Sequence, residues 1–335
     1  MLDVARRAGV SASTVSHVIN KTRRIAPETE ATVLAAIAAM GYASDGIARS
    51  LRTGTTKTIG LAMSAISNPY FGDVVHAIEQ ELTAAGYSLL LADTHDTAEG
   101  ELRAVRDLLM RKTDAIIMAP YELPDGIMQQ LIARNTPTVL IDRISGYPEW
   151  DRFDAVGVEN INSTAELVRH LATHGHRRIG FVSSGRGITT TTERLEGYKI
   201  GLTSSELPFD PQLVGDGAQG EEPAGIAVDR LLELSDPPTA LVAGNNMMTI
   251  GILRALKRHE LRVPEDIALT AYDDFSWADL FSPRLTAMAQ PVHEMASIAV
   301  TMLLERMATP QLAARHVQLQ PTFMHRDSCG CERTS

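Results

Sequence analysis

From Thr58 onward, short and wholly apolar runs alternate with segments of helical period. "TIGLAM", "YSLLLAD", "DAIIMA" and "PTVLID" read as buried strands, spaced by amphipathic helices around residues 70–85, 98–112 and 123–134. The alternation resumes with "DAVGVE", "RRIGFVSS", "TALVAGN" and "DIALTAYD", separated by helices near 162–174, 192–205, 222–234 and 246–259. Strands that are apolar throughout, each followed by a helix, predict parallel sheets covered on both faces. Two such series joined around Gly157 predict two similar α/β lobes rather than one very wide sheet. In open α/β lobes, ligands sit beyond the carboxyl ends of the strands. Two facing lobes make that crevice a clamp.

Before Thr58 the pattern carries no strand signal. "LDVARRAGV" puts Val4, Ala5 and Ala8 on one helical face and stops at Gly9. In "VSASTVSHVIN", Val15, Val18 and Ile19 fall inward, while Ala12, Ser13, Ser16, His17 and Asn20 fall on the other face. "PETEATVLAAIAAMGY" starts with Pro27 at a helix N-terminus and stops at Gly41. Three short helices with a glycine turn between the first two predict a helix-turn-helix unit. Such a unit lays its second helix in the DNA major groove, so its outward side chains must be short or hydrogen-bonding. Ser13, Thr14, Ser16, His17 and Asn20 meet that need, although an ordinary three-helix bundle with a polar face has the same pattern.

"DGIARSLRTGTT", residues 45–56, is a single short helical pattern ended by Gly54. So short a helix is marginal alone in water. It combines an apolar face (Ile47, Ala48, Leu51) with Arg49 and Arg52, which suits a segment that folds on a partner, with Leu51 as a candidate minor-groove wedge. The alternative is a flexible tether.

Charge sharpens this picture. The 335-residue chain is acidic, at −10, yet residues 1–57 hold eight Lys/Arg against four acids. The remainder carries 23 basic against 37 acidic residues, a balance of −14. A basic head on an acidic body predicts that the head alone meets a polyanion. The length and the 44% hydrophobic fraction suit a soluble protein of two or three domains. No apolar run approaches membrane-spanning length and no signal peptide is legible, so a cytoplasmic protein without membrane association is expected. Cys329 and Cys331 are the only cysteines; with no flanking ligands in the sequence, they read as a reduced, solvent-facing tail and not a metal site.

The head signature "DVARRAGVSASTVSHVIN", followed by "GYASDGIARSLRTGTTKTIG", resembles the lac/gal repressor family of bacterial transcription regulators. The likeness continues through "SNPYFGDVVHAIEQ", "HLATHGHRRIGFV", "RLEGYKIGL", "LRALKRHELRVPEDIALTAYDD" and "SPRLTAMAQP", and so covers nearly the whole chain. It implies an α/β protein with an N-terminal three-helix helix-turn-helix head and a two-lobed, periplasmic-binding-protein-like core of parallel sheets. It also implies a homodimer on palindromic double-stranded operator DNA, repression as the default, and a small effector, often a sugar, between the lobes. Neither cofactor nor metal is implied. The implied divisions are a head at 1–44, a hinge helix and linker at 45–56, and a core at 57–330. Lobe 1 would take about 57–157 and 289–316, and lobe 2 about 158–288 and 317–330.

Carried over by position, the resemblance makes Ala12, Ser13 and His17 base-reading residues and gives Thr14, Ser16 and Asn20 to phosphates. Tyr42 matches a backbone contact, Leu51 the leucine inserted at the operator centre, and Arg49 lies on that same hinge. Phe71, Arg194, Asn246 and Asp273 match positions that commonly touch effector, and Trp277 lies just beyond in the same loop, either to stack on a sugar or to pack.

This chain also departs from the family pattern. His17 stands where most members carry Arg, which removes the usual bidentate reading of guanine. Asn245–Asn246 replaces the usual Asn-Asp, and Glu159 replaces Asp. The threonine that caps the first helix would precede Leu2, so either that helix frays or the native start lies upstream; such a cap is worth about 1 kcal/mol.

Two rival classes are weaker. "SSGRGITTTT" has two of the three glycines of a dinucleotide fingerprint, and no phosphate-binding Walker sequence occurs, so nothing marks an enzyme. His170, His174 and His176 include an i, i+4 pair but lack a metalloprotease pattern and read as structural. A free solute-binding protein would share the core, but it needs neither the basic head nor cytoplasmic residence.

Overall fold

The computed structural model describes the chain except residues 21–22, 41–54, 65–67, 122–124, 145–149, 186, 219 and 332–335, together with the side chains of Asn20 and Asp125. The expected hinge helix, with Tyr42, Arg49 and Leu51, therefore lies outside the described residues. The chain forms two compact units, Met1–Lys57 and Thr58–Ser335.

In the first unit, α1 (Leu2–Ala8), α2 (Ala12–Asn20) and α3 (Pro27–Met40) enclose Val4, Ala5, Val15, Val18, Val33 and Ala36. Met1 stands at the N-cap of α1 and makes no capping side-chain bond. Gly9 ends α1 in the left-handed region at φ 66°, where a side chain is strained, and turns the chain into α2. Ser11 caps α2: its Oγ accepts from the Thr14 amide at 3.1 Å. Pro27, Glu28 and Glu30 open α3 in agreement with the helix dipole.

The second unit contains two six-stranded sheets. The first holds β1 (Thr58–Met63), β2 (Ser88–Asp93), β3 (Ala115–Met118), β4 (Thr138–Asp142), β5 (Asp154–Val158) and β11 (His316–Leu319), in the order β11-β5-β4-β3-β1-β2. The second holds β6 (Ile179–Ser183), β7 (Val214–Asp216), β8 (Ala240–Ala243), β9 (Ala268–Tyr272), β10 (Thr286–Ala289) and β12 (Thr322–Met324), in the order β12-β10-β9-β8-β6-β7. Apart from their last strands, both have the doubly wound order 2-1-3-4-5. All pairings are parallel except β10 with β12.

Helices cover both faces of each sheet, which is why their strands are apolar throughout. On the first sheet, α4 (Pro69–Ala84) and α11 (Val292–Ala308) bury one core, and α5 (Ala98–Met110) and α6 (Asp125–Ala133) the other. On the second, α9 (Glu221–Leu232) and α10 (Asn246–Arg258) take one face, and α7 (Ile161–Thr173) and α8 (Thr189–Ser204) the other.

Three readings change. "DAVGV", read as the start of the second alternation although the lobe bounds put residues 154–157 in lobe 1, is β5 and pairs with β4 in the first sheet. His316–Leu319 pairs with β5, so residues 317–319 belong to lobe 1 rather than lobe 2. Asp154 locks that edge: wholly buried, it receives Arg306 at 3.0 Å and the Arg315 amide at 2.9 Å. The cysteine tail is not a free end either. Cys329 is buried in the second lobe's core and disulfide-bonded to Cys331, with His170 and His325 beside it.

The chain crosses between the lobes three times, after β5, β10 and β11. At the first crossing the Glu159 carboxylate caps α7, accepting from the Asn162 amide at 2.7 Å and the Ser163 amide at 2.8 Å. Its own amide donates to Leu319 in the third crossing, and the Tyr272 hydroxyl donates to its carbonyl at 2.8 Å. The longer side chain that stands in place of Asp is therefore fully used.

Candidate functional site

On α2 the inward residues are Val15 and Val18, with Ile19 packed against them. Ser13 is exposed, and Thr14, Ser16 and His17 are half-buried. Ala12 is half-buried and packs on the head core, so only part of its surface faces outward. Arg23 and Arg24 are exposed just past the helix and line one groove with His17, Val18 and Glu30. Sequence reasoning counted those arginines as charge alone; their place beside His17 is set by the turn into α3.

The second site lies between the two sheets, at the carboxyl ends of their strands. It is lined from lobe 1 by Asn68, Tyr70, Phe71, Asp96, Asp142 and Arg143, and from lobe 2 by Arg194, Asn245 and Asp273, among others. Asn68 caps α4 by accepting from the Tyr70 amide, which places Tyr70 and Phe71 on the first turn above β1. Arg143 reaches Asp96 at 2.5 Å, and its guanidinium lies 5.4 Å from the centre of the Phe71 ring. Phe71 is thus buried beneath a cation.

Arg194, on the first turns of α8, is held from several sides. Its Nε donates to Asn160 at 2.9 Å and its Nη1 to the Gly244 carbonyl at 2.8 Å. Its guanidinium lies 3.6 Å from the Tyr272 ring centre, and Nη2 stands 3.8 Å from Asp273. α8 can present this residue because Gly197 and Gly201 let it lie close against α7. A Cβ at Gly197 would overlap the Ile161 carbonyl, and one at Gly201 would meet Val168.

One polar chain crosses the cleft. The Tyr70 hydroxyl lies 2.9 Å from Asp142 and 3.2 Å from the Gln290 amide oxygen, and Gln290 donates to Asp273 at 2.5 Å. Burial, reinforced by Asp142 and Asp273, raises the Tyr70 phenol well above its ordinary value, so it remains a donor. Burial also holds Asp273 above the usual carboxylate range, against the opposing pull of Arg194 and Gln290. Asp142 and Asp273 both lie in the left-handed region, at φ 63° and 72°. Strain of about 1–3 kcal/mol at a non-glycine residue persists only where the surroundings enforce it, and it clusters at ligand sites. The cavity volume is about 40 Å³, room for a few waters.

The structure thus brings Phe71, Arg194 and Asp273 together. Asn246 lies buried beside the cleft, where its backbone amide serves Asp273 while its Oδ1 has no hydrogen-bond partner among the described residues. Its neighbour Asn245 lines the cleft and caps α10 by accepting from Met248. Trp277 is partly exposed, packs on Phe275 and Phe281, and is not among the lining residues. Tyr70, Asp96, Asp142, Arg143 and Gln290 were missed.

Residues 1–45 match the model of bacterial regulatory proteins of the lacI family, and residues 168–329 match a periplasmic binding protein-like domain. A transcriptional repressor named PurR from Aliivibrio salmonicida is 32% identical over 97% of both chains. The repressor of the same name from Proteus mirabilis is 32% identical over 97% of this chain and 95% of its own. This chain belongs to the LacI family. Among solved structures, the lac repressor dimer bound to operator and the anti-inducer ONPF matches with a TM-score of 0.84 and 25% identity over 98% of both chains. The CelR–cellobiose complex matches at 0.74 and 27%, over 97% of this chain and 98% of that one. The chain is therefore a DNA-binding transcriptional regulator of the LacI family with a periplasmic-binding-protein-like core. Among the described residues no helix is long and apolar enough to cross a membrane.

Proposed function

We propose that this LacI-family regulator is a homodimeric, non-enzymatic repressor whose hold on a palindromic operator is set by a hydroxylated small molecule, a sugar or sugar derivative, taken up between the core lobes. The observation that carries this reading is the cleft. Both sheets aim their carboxyl ends at one pocket, where Asp96, Asp142 and Asp273 accept, Arg143 and Arg194 donate, and Phe71 supplies an apolar face. Sugar hydroxyls both donate and accept, and a sugar ring has apolar faces. The cellobiose in the CelR complex is a ligand of this chemistry. The present volume is too small for a sugar ring, so uptake requires the lobes to part and the Tyr70–Gln290–Asp273 chain to break. Apolar side chains exposed on the core, Leu91, Met110 and Leu280, support a dimer.

In the head, Ser13 and His17 would read base edges, with Ala12 in van der Waals contact. Thr14, Ser16, Asn20, Arg23 and Arg24 would meet phosphates. Tyr42 and Arg49 would add backbone contacts, and Leu51 would wedge the operator centre. The whole core, 57–330, would bind effector without the head.

The test pairs two measurements. A thermal-shift screen of sugars and related metabolites identifies the effector, and operator affinity is then measured with and without it across a salt series. We expect log affinity to fall steeply with log salt, a change on adding the effector, and a core starting near Lys57 that keeps effector but loses DNA. Operator binding by that core, or affinity indifferent to every hit, overturns the reading.

A further inference from the structure

We infer that His170, His325, Cys329 and Cys331 form a four-ligand site for a zinc-like divalent cation, open when the two cysteines are reduced. The four donor atoms lie within 4.8 Å of one another. His325 Nε2 is 2.7 Å, and His170 Nε2 3.3 Å, from the Cys331 sulfur. A tetrahedral zinc with Zn–S of about 2.3 Å and Zn–N of about 2.0 Å needs donors spaced by about 3.3–3.8 Å. Shifts of an ångström or so therefore convert the observed cluster into a coordination shell. Two thiolates and two imidazoles select zinc over magnesium or calcium, which prefer oxygen.

The cluster is built into the fold. His170 comes from the last turn of α7, His325 follows β12, and the cysteines sit on the turn after it. That turn is pinned from both sides. Ser328 exchanges hydrogen bonds with the Leu269 backbone and accepts from the Thr286 amide. Asp327 pairs with Arg284 at 2.7 Å, and Arg326 pairs with Asp274 at 2.7 Å. Gly330, at φ 77°, reverses the chain so that Cys331 returns over Cys329. His170 packs edge-on to Phe323 and His325, with centroids at 5.0 and 5.1 Å. Cys329 and Cys331 both contact the second lobe's core.

The disulfide and the metal exclude each other. A cellular dithiol that reduces the bridge supplies two electrons and two protons and is itself oxidised to a disulfide. The two thiols formed release those protons when the cation binds. The bound ion would then tie α7 to the carboxyl-terminal turn in place of the covalent link.

The full chain, reduced with a phosphine and desalted without oxygen, is titrated with cobalt(II) and then zinc(II). One cobalt per chain should give thiolate-to-metal charge-transfer absorption and the intense visible bands of a tetrahedral ion, both abolished by zinc. Cys331→Ser and His325→Asn each remove one ligand near the chain end and should weaken zinc binding by more than the roughly 10–100-fold that loss of an outer-shell partner costs, with unchanged circular dichroism. The oxidised chain should bind neither ion at this site. Absence of the thiolate band, a weak octahedral spectrum, or equal affinity in Cys331→Ser overturns the assignment.

Discussion

Asp142 and Asp273 hold the same place in two sheets of the same topology. Asp142 ends the fourth strand of its lobe and Asp273 directly follows the fourth strand of the other, each takes a left-handed φ, and Tyr70 and Gln290 join them across the cleft. Two buried carboxylates facing one another repel, and that repulsion is part of what raises Asp273. On the proposed reading, the hydroxyl donors of a bound effector would relieve that repulsion.

Asp273 gives a pH signature. A carboxyl whose folded pKa is raised binds its proton more tightly when folded, so stability falls as pH rises from the unfolded value through the folded one. Asp273→Asn lacks this loss. Its melting temperature relative to the parent should therefore improve as pH rises from about 4 toward neutrality, as read by scanning fluorimetry. The same variant should bind effector more weakly at neutral pH. A difference in melting temperature that does not change with pH would show that the carboxyl does not titrate differently on folding.

Gln290→Ala cuts the hydrogen-bonded link from Tyr70 to Asp273. Each lost hydrogen bond is worth about 0.5–1.5 kcal/mol net, enough to shift a balanced opening equilibrium several-fold but not to unfold a lobe. X-ray scattering of the effector-free core should show a larger radius of gyration. Identical scattering from variant and parent would mean that the bridge does not hold the lobes together.

Gly197→Ala tests how α8 is seated. Helix propensity favours alanine by about 1 kcal/mol, but the new Cβ would strike the Ile161 backbone, and overpacking typically costs about 1–3 kcal/mol. The clash should win, because a carbonyl inside α7 cannot swing aside as a side chain can. We expect a lower melting temperature together with weaker effector binding, since Arg194 moves with the helix. A stabilised variant would show that the two helices have room to separate.

His17→Arg supplies a fork of donors on the outward face of α2. The preferred half-site should shift toward guanine at one symmetric position, by about 1–3 kcal/mol. Sequence selection with both proteins measures this, and an unchanged site would remove His17 from the base-reading set.

Periodicity revealed the strands because most are buried on both faces, and it assigned Val15 and Val18 correctly because a helix this short has one inward stripe. It missed β7, β10, β11 and β12, which have three or four residues each and include polar positions. The start of α8 was obscured by its four threonines, Thr189–Thr192, whose branched side chains favour strands. Within the cleft, Arg194 and Asp273 came from family likeness. Asp142 carried a signal that went unused, since "PTVLID" and "DIALTAYD" both end a buried strand in aspartate. Tyr70 and Gln290 lie 220 residues apart, as His170 and Cys331 lie 161 apart, and no local pattern joins such partners.

The second crossing, which returns the chain to lobe 1, has a consequence for biosynthesis. Lobe 1 needs α11 and β11, residues 292–319, to cover one face of its sheet and complete an edge. Its first five strands leave the ribosome more than a hundred residues earlier. The lobe made first is thus the one finished late, and its apolar sheet waits uncovered while the five parallel strands of its neighbour are still emerging. Such surface is prone to aggregate and draws chaperones. Release of the last segments, rather than the order of the strands, should set when the effector cleft comes into existence.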